Sequence, residues 1–316
     1  MAGTPLRPEA LDLEIFQEMY RDSAVPLTGV DPRLSASQIS RRLRVGRARV
    51  AGRLRAWRAS GFLARYDLWL NPALVGWQGA WLNLRVDSAA AKAAVLPRLG
   101  LVDGAVTGIE FLGEWVTLGF VAPDPAGFDR VRDLVRGLSG VRDADPPIPW
   151  TPVEPRRALS PLDLRIVRAL RERPTATLAA TAATVGVSTR TMTRRYADLV
   201  GNGAVWFVPA FDFRAISYPC VSVLLAVRPG TAPAPLARRI RARFPLTLDF
   251  GEYNGGGPTT FSFLVIPPSA AHLEELAGFV GSLDAVVGVE TNVWVRMHHF
   301  PEWIDRQLAR GATPRA

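Results

Sequence analysis

The chain has one cysteine, Cys220, one lysine, Lys92, and three histidines, His272, His298 and His299. A single cysteine excludes an intrachain disulfide framework and any cysteine-rich zinc or iron–sulfur site. His298 and His299 are adjacent, and neighbours in a regular strand point to opposite faces, so they do not chelate one metal. No HExxH, no Ser/His/Asp elbow and no Gly-Lys-Ser/Thr phosphate loop occurs; the Gly255–Gly257 run lacks the last two residues of that motif. No apolar run approaches the roughly 18 residues of a membrane helix. The opening stretch, MAGTPLRPEALDLE, carries no basic-then-apolar signal, so a reducing cytoplasm is the expected location. On these absences the chain is expected to hold no metal and no cofactor and not to be an enzyme.

What is present is arginine. Of 316 residues, 38 are basic and 29 acidic, a formal charge of +9, and with one lysine the remaining 37 basic residues are arginine. GC-rich codon usage would favour arginine over lysine but does not place it. Between Ser37 and Leu70 lie Arg41, Arg42, Arg44, Arg47, Arg49, Arg53, Arg55, Arg58 and Arg65 against one acid, Asp67. Ordinary solvated helix faces mix both signs, so a local excess of this kind on a partly apolar segment fits a polyanion such as nucleic acid.

The chain also resembles itself. Leu11-Asp12-Leu13, Ile15-Phe16 and Met19 recur as Leu162-Asp163-Leu164, Ile166-Val167 and Leu170. Ile39–Leu63 matches Thr181–Val205 in constant register, pairing Val50 with Met192, Arg53 with Arg195 and Gly61 with Gly203. Trp69–Trp77 parallels Phe211–Pro219, and the proline-rich linker Asp143–Arg157 divides the copies. Each copy reads as three short helices, a small wing and a βαββαβ order, which is the ferredoxin-like arrangement. The fold class is therefore α+β, with two winged helix-turn-helix domains alternating with two ferredoxin-like domains. The expected boundaries are 1–70, 71–150, 151–212 and 213–316.

Ser35-x-x-Gln38 is a capping box, Ser160-Pro161-x-Asp163 a strong helix start, and Ser188 a cap for the third helix of the second copy. The second and third helices form a helix-turn-helix, whose later helix enters the major groove. In the second copy Met192, Tyr196 and Leu199 share an inner face, leaving Arg190, Thr191 and Arg194 outward for base edges, with Ser188 and Thr189 placed for phosphate and Arg195 a further candidate DNA contact. In the first copy Val50, Leu54 and Trp57 turn inward and Arg47, Arg49, Arg53 and Arg55 are the candidate DNA contacts. Gly52 stands where Arg194 stands, so the first copy suits phosphate contact better than base reading.

These segments, LDLRIVRAL and VGVSTRTMTRRYADLVGNGAV, resemble the winged helix-turn-helix of the Lrp/AsnC transcription regulators, and the βαββαβ region resembles that family's effector-binding domain. The resemblance spans nearly the whole chain as two fused copies, where the family usually has one. It implies a regulator of transcription on double-stranded DNA, an intramolecular pseudo-dimer and further homo-oligomerisation. It also implies a small, amino-acid-like effector near Glu110, Gly113, Glu114 and Trp115 in copy one, and Asp249, Glu252, Tyr253 and Asn254 in copy two. The plainer reading of those positions is a strand turn with solvated acids, since Asn254-Gly255 is a hairpin signal without any ligand. Two alternatives stay open: an enzyme like the siroheme decarboxylases built on the same plan, and a DNA-organising protein without an effector.

Overall fold

Side-chain caps start the helices where the sequence placed them. The computed structural model describes residues 5–20, 30–150, 152, 154–244, 247–253, 260–267 and 269–311. After α1 (Ala10–Tyr20), Ser35 opens α2 (Ala36–Leu43): its hydroxyl accepts from the Gln38 amide, and the Gln38 side chain accepts from the Ser35 amide. Ser160 and Asp163 form the same reciprocal pair at the head of α6 (Pro161–Glu172). Ser188 caps α8 (Thr189–Gly201), which follows α7 (Leu178–Val185), whereas the matching helix α3 (Arg47–Ser60) starts from Gly46 and has no side-chain cap.

Downstream of the helices the same order of elements runs twice. The first half continues through β1 (Leu63–Leu70), β2 (Gln78–Val86), α4 (Lys92–Gly100), β3 (Ala105–Phe111), β4 (Trp115–Ala122), α5 (Pro125–Arg136), β5 (Val141–Ala144) and β6 (Ile148–Trp150). The second runs β7 (Val205–Phe211), β8 (Cys220–Val227), α9 (Pro233–Arg243), β9 (Thr247–Tyr253), β10 (Thr260–Val265), α10 (Ala270–Gly281), β11 (Val286–His299) and α11 (Glu302–Ala309). One sheet takes the order β5-β2-β4-β3-β11-β8-β10-β9, two ferredoxin-like sets joined edge to edge by antiparallel pairing of β3 with β11.

The two closing strands differ. The last strand of the first βαββαβ set breaks at Pro146-Pro147 into β5 and β6, because proline gives no N–H to a ladder. Its counterpart β11 runs unbroken over 14 residues. The first part of β11 pairs with β8, while Trp294–His299 pairs with β3. β6 instead pairs with β2 and lies beside β9 with no ladder between them among the described residues. There Gly79 faces Trp150, and a Cβ at Gly79 would lie 2.0 Å from the indole ring.

The two expected wing strands meet each other as a two-stranded ribbon. Arg65 faces Ala210, Asp67 faces Val208 and Trp69 faces Trp206, so the pairs flanking Asp67–Val208 are reciprocal, as in a self-complementary contact. Ala64 is skipped in a bulge between Leu63 and Arg65. That extra residue corrects the alignment of Trp69–Trp77 with Phe211–Pro219 by one position. Asn71 matches Asp212, each capping a short 3-10 turn.

α4 and α5 cover one face of the first sheet half, burying Leu82, Leu84, Val95, Leu99, Phe120 and Phe128. Val223, Leu225, Leu236, Ile240, Phe263 and Leu276 do the same in the second. A further core joins sheet to helices: Ile109, Phe111, Trp294 and Cys220 pack with Phe211, Phe213, Ile15 and Trp57. Burial pushes the Cys220 thiol well above its ordinary pKa. No helix among the described residues is long and apolar enough to cross a membrane.

Candidate nucleic-acid interface

Helix α8 turns Met192, Tyr196 and Leu199 inward, as its periodicity predicts. Arg190 and Arg194 are exposed and Thr191 is half-buried. The Ser188 hydroxyl accepts from the Thr191 amide at 3.2 Å and donates to the Thr191 hydroxyl at 3.0 Å, which fixes the start of the helix. Thr189, the first helical residue, is exposed. Arg195 points the other way, its Nη1 3.5 Å from the buried Asp163, whose second oxygen accepts from Arg157 at 2.6 Å. Burial raises the Asp163 carboxyl, but hydrogen bonds from Arg157 and Ser160 outweigh it and hold the group below the usual carboxylate range.

Helix α3 repeats the plan. Val50 and Trp57 are buried, and Arg47, Arg49 and Arg55 are exposed. Arg53 is tied inside the unit, with Nε to Asp12 at 2.8 Å, Nη1 to Glu9 at 2.9 Å and Nη2 to the Arg7 carbonyl at 2.9 Å. The Trp57 indole donates to the same Asp12 at 2.7 Å. The Asp12 hydrogen bond raises the Arg53 pKa further. Thus Arg53 and Arg195 clamp the third helix to the first, while Arg47, Arg49, Arg55, Arg190 and Arg194 make no ion pair or hydrogen bond among the described residues. Gly52 has open space around its Cβ position.

A contact that sequence reasoning missed joins the two units. Arg33, just before α2, donates through Nε to the Ala176 carbonyl and through Nη1 to the Tyr196 hydroxyl, both at 3.1 Å. Its guanidinium lies 4.7 Å from the Tyr196 ring centre and 5.2 Å from that of Phe207. Tyr196 donates in turn to Asp31 at 3.0 Å, and the Val30 amide donates to the Phe207 carbonyl at 2.9 Å. Burial first, and then Asp31, raises the Tyr196 pKa.

Among the described side chains expected around an effector, the two acids of the first half have separate partners. Glu110 lies 3.3 Å from His298 Nε2 across β3 and β11. Glu114 instead accepts from Arg85 at 3.0 Å and Arg142 at 3.3 Å. Gly113 takes a turn with φ 81°, and Trp115 is partly exposed opposite Arg85. Asp249, Glu252 and Tyr253 lie on β9; Asn254 falls outside the described residues, as does most of the turn it opens. His299 Nδ1 sits 2.5 Å from Asp67 Oδ2 at the centre of the ribbon. Burial raises the Asp67 carboxyl, and the bonds from His299 and Arg65 more than reverse it. Lys92 is buried and donates to the Phe111 carbonyl, and burial lowers its pKa.

The element order and strand pairing define an α+β chain in which helix-turn-helix units alternate with ferredoxin-like sheets. Over nearly its full length it is similar to a solved siroheme decarboxylase, NirDL: 15% identity, covering 94% of this chain and 97% of that one, with a TM-score of 0.53. The same enzyme in complex with an iron-uroporphyrin III analogue matches at 14% identity, 96% and 99% coverage and a TM-score of 0.50. An AsnC family transcriptional regulator from Agrobacterium tumefaciens is similar over 43% of this chain and 89% of its own, with 20% identity and a TM-score of 0.30. No protein-family model and no curated protein matches. The whole-chain likeness overturns the expectation that the chain is not an enzyme, because the solved chain that shares its fold end to end is one. The motifs missing from the sequence belong to hydrolases, metalloproteins and phosphate loops, and their absence bears on those chemistries alone.

Proposed function

We propose that the chain is a DNA-binding transcription regulator of the Lrp/AsnC type. Its four regions, 1–70, 71–150, 151–212 and 213–316, act as two copies of a pair. The observation that carries this reading is the row of exposed arginines at the two recognition helices: Arg47, Arg49 and Arg55 on α3, Arg190 and Arg194 on α8. Long cations without an ion pair among the described residues, on a helix-turn-helix face, suit phosphates and guanine edges. Ser188 and Thr189 add hydroxyls and amides at the head of α8, and Thr191 stands two positions further in. The reciprocal β1–β7 ribbon supports an intramolecular pseudo-dimer that presents both helices to one duplex. A small effector at the sheets and pairing between chains belong to the same reading.

Fluorescence anisotropy on a duplex from the protein's own promoter tests it. Affinity falls steeply as salt rises, because each neutralised phosphate releases counterions. Arg194→Ala costs about 1–3 kcal/mol on the preferred sequence and relaxes its specificity, while Arg49→Ala weakens all duplexes alike. Absence of salt-dependent binding to every duplex would remove the reading.

A second reading has its own support in the whole-chain likeness to the siroheme decarboxylase: the chain binds an iron tetrapyrrole carrying carboxylates. Titrating the iron-uroporphyrin III analogue separates the two. A shifted tetrapyrrole absorption band on adding protein supports this reading, and an unchanged spectrum at high protein concentration eliminates it.

A further inference from the structure

Among the described residues one non-glycine residue has a positive φ: Arg44, at φ 56° and ψ 36°. It occupies the elbow between α2 and α3. Left-handed backbone crowds the Cβ of an L-residue, which is why glycine is the usual occupant of a helix end of this shape. The second unit obeys that preference. Gly186 holds the matching elbow at φ 75°, and the amides of Gly186 and Val187 both donate to the Ala182 carbonyl at 3.0 Å.

In the first unit the Arg44 and Val45 amides both donate to the Ser40 carbonyl, and the Ser40 hydroxyl donates to the Val45 carbonyl at 2.7 Å. Leu43 and Val45 pack into the core on either side. The surrounding turn therefore imposes the left-handed backbone whichever residue stands there. Position 44 nonetheless carries a long cation where glycine would fit without strain.

The Arg44 side chain is exposed and makes no hydrogen bond or ion pair among the described residues. The carbonyl end of α2 does favour cations. Arg41 and Arg42 already supply two from ordinary helical positions, the latter 3.8 Å from Glu18. A strained backbone whose side chain makes no polar contact among the described residues points to a partner outside the protein.

We infer that Arg44 is a phosphate contact to duplex DNA, placed at the elbow immediately before Arg47 and Arg49. The inference rests on duplex DNA as the partner of these units and adds a residue that periodicity did not single out.

Arg44→Gly makes stability and affinity move in opposite directions. Relief of the left-handed strain raises Tm by about 1–3 °C. Binding to a duplex of arbitrary sequence weakens about three- to tenfold, and the magnitude of the salt slope falls by about one. Arg44→Lys keeps charge and strain, and leaves both Tm and affinity near those of the unaltered protein. An Arg44→Gly protein that binds with unchanged affinity and slope overturns the inference. So does an Arg44→Lys protein that loses as much affinity as Arg44→Gly. If the unaltered protein binds no duplex at any salt, the DNA reading itself fails, and the inference falls with it.

Discussion

In the first helix-turn-helix unit Arg53 and Trp57 converge on Asp12; in the second Arg195 and the linker residue Arg157 converge on Asp163. Both units thus fasten the third helix to the first through a buried carboxylate at the start of the first helix. Their outer faces differ. The first has a glycine cap, a glycine in the middle of α3 and an arginine at the elbow; the second has a serine cap, Arg194 at the matching site and a glycine at the elbow. The packing plan tolerates one arrangement of charge inside and many outside. A buried ion pair must keep its partner, whereas an exposed cation answers only to what it meets in solution.

The comparison breaks most sharply at the two carboxylates. Asp12→Ala leaves the buried Trp57 indole without its acceptor and Arg53 with only Glu9 and the Arg7 carbonyl, and should cost about 3–5 kcal/mol in denaturant unfolding. Asp163→Asn should cost less, about 2–3 kcal/mol, because Arg157 and Arg195 both retain access to water. A larger loss at Asp163 than at Asp12 would show that the second unit leans harder on its clamp. The Asp163 pKa is depressed in the folded state, so its contribution is complete above the unfolded value of about 4. It is lost as pH falls through the lower folded value. Asp163→Asn should therefore flatten the acid limb of the stability–pH curve, and an unchanged acid limb would contradict the assigned pairing.

Arg33→Ala removes the guanidinium contacts between the units and leaves the Tyr196–Asp31 and Val30–Phe207 bonds in place. With two hydrogen bonds and the ring contacts gone, stability should drop by about 1–2 kcal/mol. The smallest effect is a gain: Gly52→Ala has open space and a helical backbone, and should stabilise by about 0.5–1 kcal/mol. A loss at that position would mean that α3 needs the glycine for something other than room.

Much of this was legible in the residues. Caps at Ser35, Ser160 and Ser188 have a local cause, a hydroxyl three positions before an amide that lacks a partner. Helix faces followed from spacing, and the strand orders from the alternation of elements. The inward turn of Arg53 and Arg195 has a signal in the sequence: the two third-helix arginines recur together with the first-helix aspartates Asp12 and Asp163, although the two spacings differ by nine residues. The union of β1 with β7 and of β3 with β11 had no local signal, because edge pairing between distant strands depends on where each edge lies after folding. The partners of Glu110 and Glu114 had no local signal for a related reason. Glu110 and Glu114 are close in sequence, but each is held by its own basic partners, His298 for one and Arg85 with Arg142 for the other.

The seam between β3 and β11 has a consequence for how the molecule is made. The Thr107 hydroxyl donates to the His298 carbonyl, a partner 191 positions further along the chain. A ribosome working at about 5–20 residues per second delivers that strand roughly 10–40 s after β3 has emerged. Throughout that interval the first half of the protein presents an uncovered row of amides and carbonyls, open to any neighbouring nascent chain. Translation speed between residues 111 and 294 therefore sets how long the unfinished edge is at risk, and the arrival of β11 is the closure that ends the exposure.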